Sequence, residues 1–247
     1  LLPHRLFVLH DGHSDHAPHL PCFPCSAKIQ FYYTKLRKAF QSLRFFLTLR
    51  AKSATLDLQE NERGPAMMYT LHYDSPLGGI LLAADEVGLT GLWFDGEKYF
   101  ADTLDPEHKA QETPILREAK RWLDVYFRGQ EPDFTPPLHP IGSPFRQEVW
   151  ALLLQIPYGQ TTTYGALAKQ LAAMHGLPRM SAQAVGGAVG HNEISILIPC
   201  HRVVGTNGSL TGYAGGIDKK AKLLTLEKIR MEHLFPPTNY SLTPSTR

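Results

Sequence analysis

The sequence predicts two domains, a small α/β domain followed by a mainly α-helical domain that contains a helix-turn-helix. Three observations carry this. Short strand-like runs cluster between Tyr69 and Phe94 and give way to one amphipathic helix. A proline-rich stretch, Gly129 to Ile141, then reads as a linker over the surface. Beyond it, Ser or Thr repeatedly precedes a helical apolar pattern, the mark of N-capped helices.

Within the first domain, Tyr69-Thr-Leu-His-Tyr73 alternates, Gly78–Ala84 is an apolar strand after a turn at Pro76-Leu77, and Thr90–Phe94 is a third short strand. Thr113–Arg128 has helical spacing, with Ile115, Ala119, Trp122, Leu123 and Phe127 on the expected core side. In the second domain Ser143 and Pro144 fit N-cap and first helical residue, and Phe145, Val149, Trp150, Leu153 and Ile156 form the apolar face. Thr162 or Thr163 caps a helix over Tyr164–Ala173, and after a loop Ser181 caps a helix of small residues, Ala182–Gly190. Two short helices joined in this way form a helix-turn-helix. A buried strand is expected over Ile194–Ile198, ended by Pro199, which has no N–H to give a ladder.

Residues 1–66 follow neither pattern. Leu1 to Cys25 holds His4, His10, His13, His16, His19 and the pair Cys22 and Cys25. Thiolate and imidazole suit zinc, but the second spaced pair of a structural site is missing, so no metal is expected and the segment reads as compositionally biased. Ala27–Ala54 is basic and aromatic without an acidic residue, like a transit peptide or a surface helix. The start at Leu1 reads as a truncated one. The expected division is an extension over 1–66, the α/β domain with its linker over 67–142, the helical domain over 143–235, and a disordered tail over 236–247.

No apolar run approaches the roughly eighteen residues of a membrane span, so no membrane partner is expected. Residues 67–142 carry six Lys/Arg against thirteen Asp/Glu, whereas residues 143–247 carry ten against five. An acidic middle and a basic last third suit a chain that meets a polyanion with one end. Three cysteines cannot make a disulfide framework without a remainder, which points to a reducing compartment, taken as the cytoplasm of a bacterial-type cell.

The densest chemistry lies in Ile194–Val204, where Cys200, His201 and Arg202 follow Pro199. A thiol at such a corner, beside an imidazole and a guanidinium, is expected to have a lowered pKa and to act as a nucleophile. A buried structural cysteine is the plain alternative.

The run Pro199-Cys-His-Arg-Val203 resembles the active-site signature of the O6-alkylguanine-DNA alkyltransferases, the methylated-DNA–protein-cysteine methyltransferases. The likeness continues through Val204–Gly216 to Leu223-Leu-Thr-Leu-Glu227, takes in Ala182–Ala188, Asn192 and Pro144–Trp150, and reaches Ser75–Gly78 and Gly88–Leu92. It therefore spans about residues 67 to 230. The resemblance implies a short antiparallel sheet with helices in the first domain and a winged-helix-like second domain. It implies a DNA-repair transferase that flips O6-alkylguanine, and O4-alkylthymine, out of duplex DNA and moves the alkyl group irreversibly to Cys200, without a cofactor.

By the same resemblance His201 is the base, acting through a bridging water, Glu227 orients it, and Asn192 links the helix-turn-helix to the site. Tyr164 would offer its hydroxyl to the guanine, the carbonyls of Cys200 and Val203 would accept from its exocyclic amine, and Tyr213 and Gly212 would line the pocket. Ala182, Gln183, Ala184 and Gly186 would enter the minor groove of double-stranded DNA, with Gln183 where many members have an arginine finger. The protein is expected to act as a monomer, and Arg202 to brace the active-site turn. A non-catalytic alkyltransferase-like lesion binder, a cysteine hydrolase and a plain helix-turn-helix regulator are the other readings. Cys200, His201 and Glu227 in register count against the first, and the lack of an oxyanion-hole motif against the second.

Overall fold

The computed structural model describes residues 66–236. The expected extension and tail, with Cys22, Cys25 and the clustered histidines, lie outside the described residues apart from residues 66 and 236.

Alternation of apolar and polar side chains sets up the first domain. β1 (Met68–Ser75), β2 (Gly78–Ala84) and β3 (Leu89–Phe94) form an antiparallel meander. Gly78 takes φ +111° after the Pro76-Leu77 turn, and Ser75 Oγ closes that turn by donating to the Gly78 carbonyl over 2.6 Å. A strand with no sequence signal, β4 (His108–Ala110), adds parallel to β1, giving the order β3-β2-β1-β4. The sheet is thus mixed at one edge. Helix α1 (Pro114–Tyr126), capped by Thr113, packs on it. Its buried row is Leu116, Ala119, Trp122, Leu123 and Tyr126, so Ile115 and Phe127 are only half-buried. The stripe is rotated because the Tyr126 ring is drawn inward to a buried acid described below.

β3 is buried along its whole length, because its second edge is not left open. The expected surface linker docks there instead. The Leu89 N–H donates to the Pro137 carbonyl and the His139 N–H to the Leu89 carbonyl, each over 2.8 Å. His139 Nδ1 lies 2.6 Å from the buried Asp85 carboxylate. Further along, Leu92 pairs with Glu193 and Ser195 of the second domain, at 2.8 and 2.9 Å.

The second domain contains α2 (Pro144–Leu153), α3 (Tyr164–Met174) and α4 (Ala182–Gly190), capped by Ser143, Thr163 and Ser181 as the spacing required. Trp150 on α2 is 1% exposed and its indole N–H donates to the Ala188 carbonyl of α4 over 2.9 Å. Two residue pairs, β5 (Thr162–Thr163) and β6 (Val203–Val204), make a small parallel ladder, and α5 (Ile217–Leu226) closes the domain.

The expected strand over Ile194–Ile198 does not form. Only Ile194 bridges β3, and the chain then folds into a turn in which the Leu197 N–H donates to Ser195 and the Ile198 N–H to Ile194. Ile196 sits at φ +68°, a costly conformation for a β-branched residue. The apolar run is continuous because the turn is buried on all sides, and burial alone does not distinguish strand from turn.

Trp150→Phe keeps most of the core volume and orphans the Ala188 carbonyl. It should lower the unfolding free energy by about 1–3 kcal/mol in a urea titration, with little change in slope.

Candidate active site

Pro199 ends the buried turn, and Cys200–Arg202 form one turn of 3-10 helix. This turn points the first side chain one way and the next two the other. Cys200 faces Asn192, whose amide donates to the thiol sulfur over 3.1 Å and to the Ile198 carbonyl over 2.8 Å. The Asn192 carbonyl oxygen in turn accepts from the Ile194 N–H at 3.1 Å. One side chain therefore satisfies the backbone of the irregular turn and touches the thiol.

His201 and Arg202 face the other way, toward Glu227 at the C-terminal end of α5. Glu227 is 2% exposed and accepts from five groups. His201 Nε2 lies 2.8 Å from Oε1, Arg202 Nε and Nη2 donate over 2.8 and 2.9 Å, and the Tyr126 hydroxyl donates over 2.8 Å. The Gly159 N–H adds a fifth at 3.2 Å. Arg202 also donates to the Ile156 carbonyl over 2.7 Å. Burial by itself would push the Glu227 carboxyl up, but His201 and Arg202 outweigh it and hold it at about 2.

An ionised Glu227 only accepts, so His201 carries its proton on Nε2. His201 Nδ1 is buried without a protein partner, which leaves that nitrogen to take up a proton. Burial keeps the imidazole neutral, against the pull of Glu227 and with the help of Arg202 and Lys220.

Sequence neighbours of the thiol are therefore not its electrostatic neighbours. The expected lowering of the Cys200 pKa by His201 and Arg202 does not occur. Burial pushes the thiol up to about 11, while the Asn192 hydrogen bond and the Lys220 charge pull it back and the Glu97 charge adds to the rise. Arg202 spends its charge on Glu227.

The remaining pocket candidates gather around the loop between β6 and α5. The Tyr164 hydroxyl donates to the carbonyls of Thr211 and Gly212, at 3.0 and 3.2 Å. Gly212 takes φ +78°, and a Cβ there would lie 2.6 Å from that hydroxyl, so glycine is required twice over. Burial, then the nearby thiol, raises the Tyr164 pKa. Tyr213 packs edge-on to His201, with centroids 6.4 Å apart, and its hydroxyl is buried. The Cys200 carbonyl accepts from the Val203 N–H. The Val203 carbonyl already accepts from Lys220 Nζ at 2.5 Å.

Lys220, one of several lysines on α5, is a site residue not singled out from the sequence. It is fully buried, donates also to Thr211 over 2.9 Å, and burial lowers its pKa to about 8. Its spacing to Leu223, Leu224 and Glu227 puts it on the inward face of α5, a signal present in the sequence. Tyr126 carries no such signal, because its partner is in the other domain.

On α4, Ala182, Gln183 and Ala184 are exposed, while Gly186 abuts the Tyr164 ring, which a Cβ would meet at 3.6 Å. A cleft of about 380 Å³ between α3 and the loop that leads to α4 is lined in part by Lys169 and Arg179. Among the described residues no group of three or more His, Cys, Asp or Glu side chains could hold a metal ion. No described helix is long and apolar enough to cross a membrane.

Comparison with known proteins fits this geometry. Residues 67–140 match the ribonuclease-like domain of 6-O-methylguanine DNA methyltransferase, and residues 144–229 match the DNA binding domain of the same family. The chain belongs to the 6-O-methylguanine DNA methyltransferase family. It is 45% identical over 160 residues to the methylated-DNA–protein-cysteine methyltransferase of Methanosarcina acetivorans, covering 65% of this chain and 98% of that one. The protein of the same name from Haemophilus influenzae is 40% identical over 164 residues, covering 66% of this chain and 87% of that one. A crystal structure of the Mycobacterium tuberculosis O6-methylguanine methyltransferase aligns with TM-score 0.56 and 40% identity, over 66% of this chain and 93% of that chain. The mycobacterial protein has also been crystallised in complex with DNA, and that structure aligns at TM-score 0.55. The mixed sheet followed by a helical DNA-binding domain is this family's fold.

Glu227→Gln leaves Arg202 buried beside a neutral amide and removes the acceptor that fixes the His201 tautomer. It should destabilise the fold by about 3–5 kcal/mol in chemical denaturation. Because the folded pKa of Glu227 lies below its ordinary value of 4.5, the wild-type pair stabilises fully above that pH and is lost as pH falls toward 2. The difference in melting temperature between the two proteins should shrink over that window.

Proposed function

We propose that this chain repairs DNA by taking an alkyl group from O6 of a flipped guanine onto Cys200. The observation that carries the reading is Cys200 on a buried turn, touched by Asn192, beside a histidine whose tautomer is set by a buried acid. The family's name for its members, and relatives above 40% identity that bear it, support transfer over mere lesion binding. DNA is the partner through the second domain. The minor groove, an O6-alkylguanine substrate, action as a monomer and a cytoplasmic location are parts of the proposal.

In the transfer the thiolate sulfur bonds to the alkyl carbon, and the carbon–oxygen bond breaks with its electron pair passing to the guanine. The thiol proton goes to His201 Nδ1 through a water, and Glu227 stabilises the imidazolium. Tyr164 supplies a proton to the departing base after releasing the carbonyls of Thr211 and Gly212. The thioether product carries no proton and no charge, and nothing at the site returns it to a thiol. Each molecule acts once.

A thiol held at about 11 is largely protonated at neutral pH, so reaction waits on substrate to complete the site. The small exposed residues of α4 suit close approach to sugar-phosphate walls. Gln183 can fill the space of an extruded base, with neither the charge nor the stacking plane of a guanidinium.

Incubation with DNA containing O6-methylguanine should add one methyl mass to the Cys200 peptide, and Cys200→Ser should bind the same DNA without acquiring it. A modified serine variant, or a methyl on another residue, would displace Cys200 as acceptor. Gln183→Arg should speed repair of duplex DNA severalfold more than transfer from free O6-benzylguanine, since a free base needs no flipping. Equal acceleration of both would place Gln183 outside the helix stack.

A further inference from the structure

A second glutamate contacts the turn that leads to Cys200, through a residue that Glu227 does not touch. Glu97 follows β3 in the first domain and is 7% exposed. Its carboxyl accepts from the Phe94 N–H at 3.1 Å and from the Ser195 hydroxyl at 3.4 and 3.5 Å. Ser195 is fully buried in the turn that leads to Cys200. The next residue, Lys98, donates its N–H to Ala214 in the loop that lines the pocket, over 3.1 Å.

The two acids are supplied very differently. Glu227 has a guanidinium, an imidazole, a phenol and an amide, whereas Glu97 has one amide and one long hydroxyl contact. Glu193 of the same turn adds a neighbouring acid, occupied by the Trp93 indole N–H at 2.9 Å and Thr103 at 3.4 Å. Lys219 of α5 is the cation that faces Glu97, and its charge also lies 5.4 Å over the Phe94 ring. Tyr213 faces it from the pocket loop, with its hydroxyl turned toward that of Ser195.

We propose that Glu97 is a positioning residue for alkyl transfer: as an uncharged acid it ties the Ser195 turn to the first domain, and once ionised it restrains thiolate formation at Cys200. The inference rests on the function proposed above. Burial, opposed by the Phe94 amide and Ser195 and reinforced by Glu193, pushes the Glu97 carboxyl up to about 8. Its charge raises the pKa of both Cys200 and Tyr213. Of the two buried acids that contact this turn, one is held ionised by its partners and the other is pushed toward the neutral form by burial, a division that environment imposes on identical side chains. Lys220 also titrates near the thiol, at about 8, so a bend in the wild-type pH profile alone does not identify Glu97. Comparison with an isosteric neutral variant does, since Lys220 is common to both.

The experiment follows alkylation of Cys200 by free O6-benzylguanine, read by mass, from pH 6.5 to 9 in the full chain and in Glu97→Gln. The ratio of variant to wild-type rate should climb with pH by about threefold, the effect of about half a pKa unit on the thiol. A ratio independent of pH overturns the inference while leaving Cys200 as acceptor. Absence of any adduct on Cys200 in wild type overturns the function on which it rests. Glu97→Asp, which keeps the charge, should give a flat ratio, and a climbing one counts against the inference. Should Glu97→Gln fail to fold, ¹³C NMR of the wild-type side chain decides. A carboxyl midpoint near pH 8 supports the inference and an ordinary carboxylate midpoint overturns it.

Discussion

Glu227 is the acid on which the geometry of the site depends. A buried carboxylate is costly unless every lone pair is used, and here Tyr126, Gly159, His201 and Arg202 use them together. These partners come from α1 of the first domain, the turn after α2, and the turn carrying Cys200. One charge thereby draws four segments to one point and fixes the direction in which the catalytic turn faces. Arg202 is part of the frame, and its guanidinium is unavailable to the thiol for that reason.

The first domain contributes more than a platform. The second edge of β3 is closed by the linker at Leu89 and by the active-site turn at Leu92, so the strand has no exposed hydrogen-bonding edge. The same contacts hold a turn that contains a β-branched residue at positive φ. An irregular turn keeps its shape only when its surroundings over-determine it, and the Asn192 amide, the β3 edge and Glu97 do so from three sides. A cysteine on such a turn is positioned to within the tolerance of a core residue.

The resting site is restrained in several places at once. The thiol is protonated by burial, the Tyr164 hydroxyl is tied to two loop carbonyls, and the Val203 carbonyl is held by Lys220. A protein whose nucleophile is spent in one reaction gains from this, because a thiolate exposed at rest would react with any soft electrophile. In the proposed reaction, substrate binding would replace these internal partners with its own.

Much of the site was legible in the sequence because its parts are local. Caps at Ser143, at Thr162 or Thr163, and at Ser181, and the adjacency of Cys200 and His201, follow from rules that act over a few residues, whereas Gly212 was named through resemblance and is required by Tyr164. The spacing from Cys200 to Glu227 was informative through resemblance to a family, and not through any rule of periodicity. What the sequence alone did not contain was direction. Ile194–Ile198 is as apolar as a strand yet is a turn, because its backbone bonds go to an asparagine side chain and one edge residue. None of Lys220, Tyr126 and Glu97 was singled out from the sequence, yet Lys220 is buried, Tyr126 donates a hydrogen bond to Glu227, and Glu97 abuts the thiol's turn. Each of these depends on a partner more than fifteen residues away in the chain, at Val203, Glu227 and Ser195. Local propensity determined which elements form. Only the packing of the two domains against one another decided which charges are desolvated, and desolvation sets the protonation of every group around Cys200.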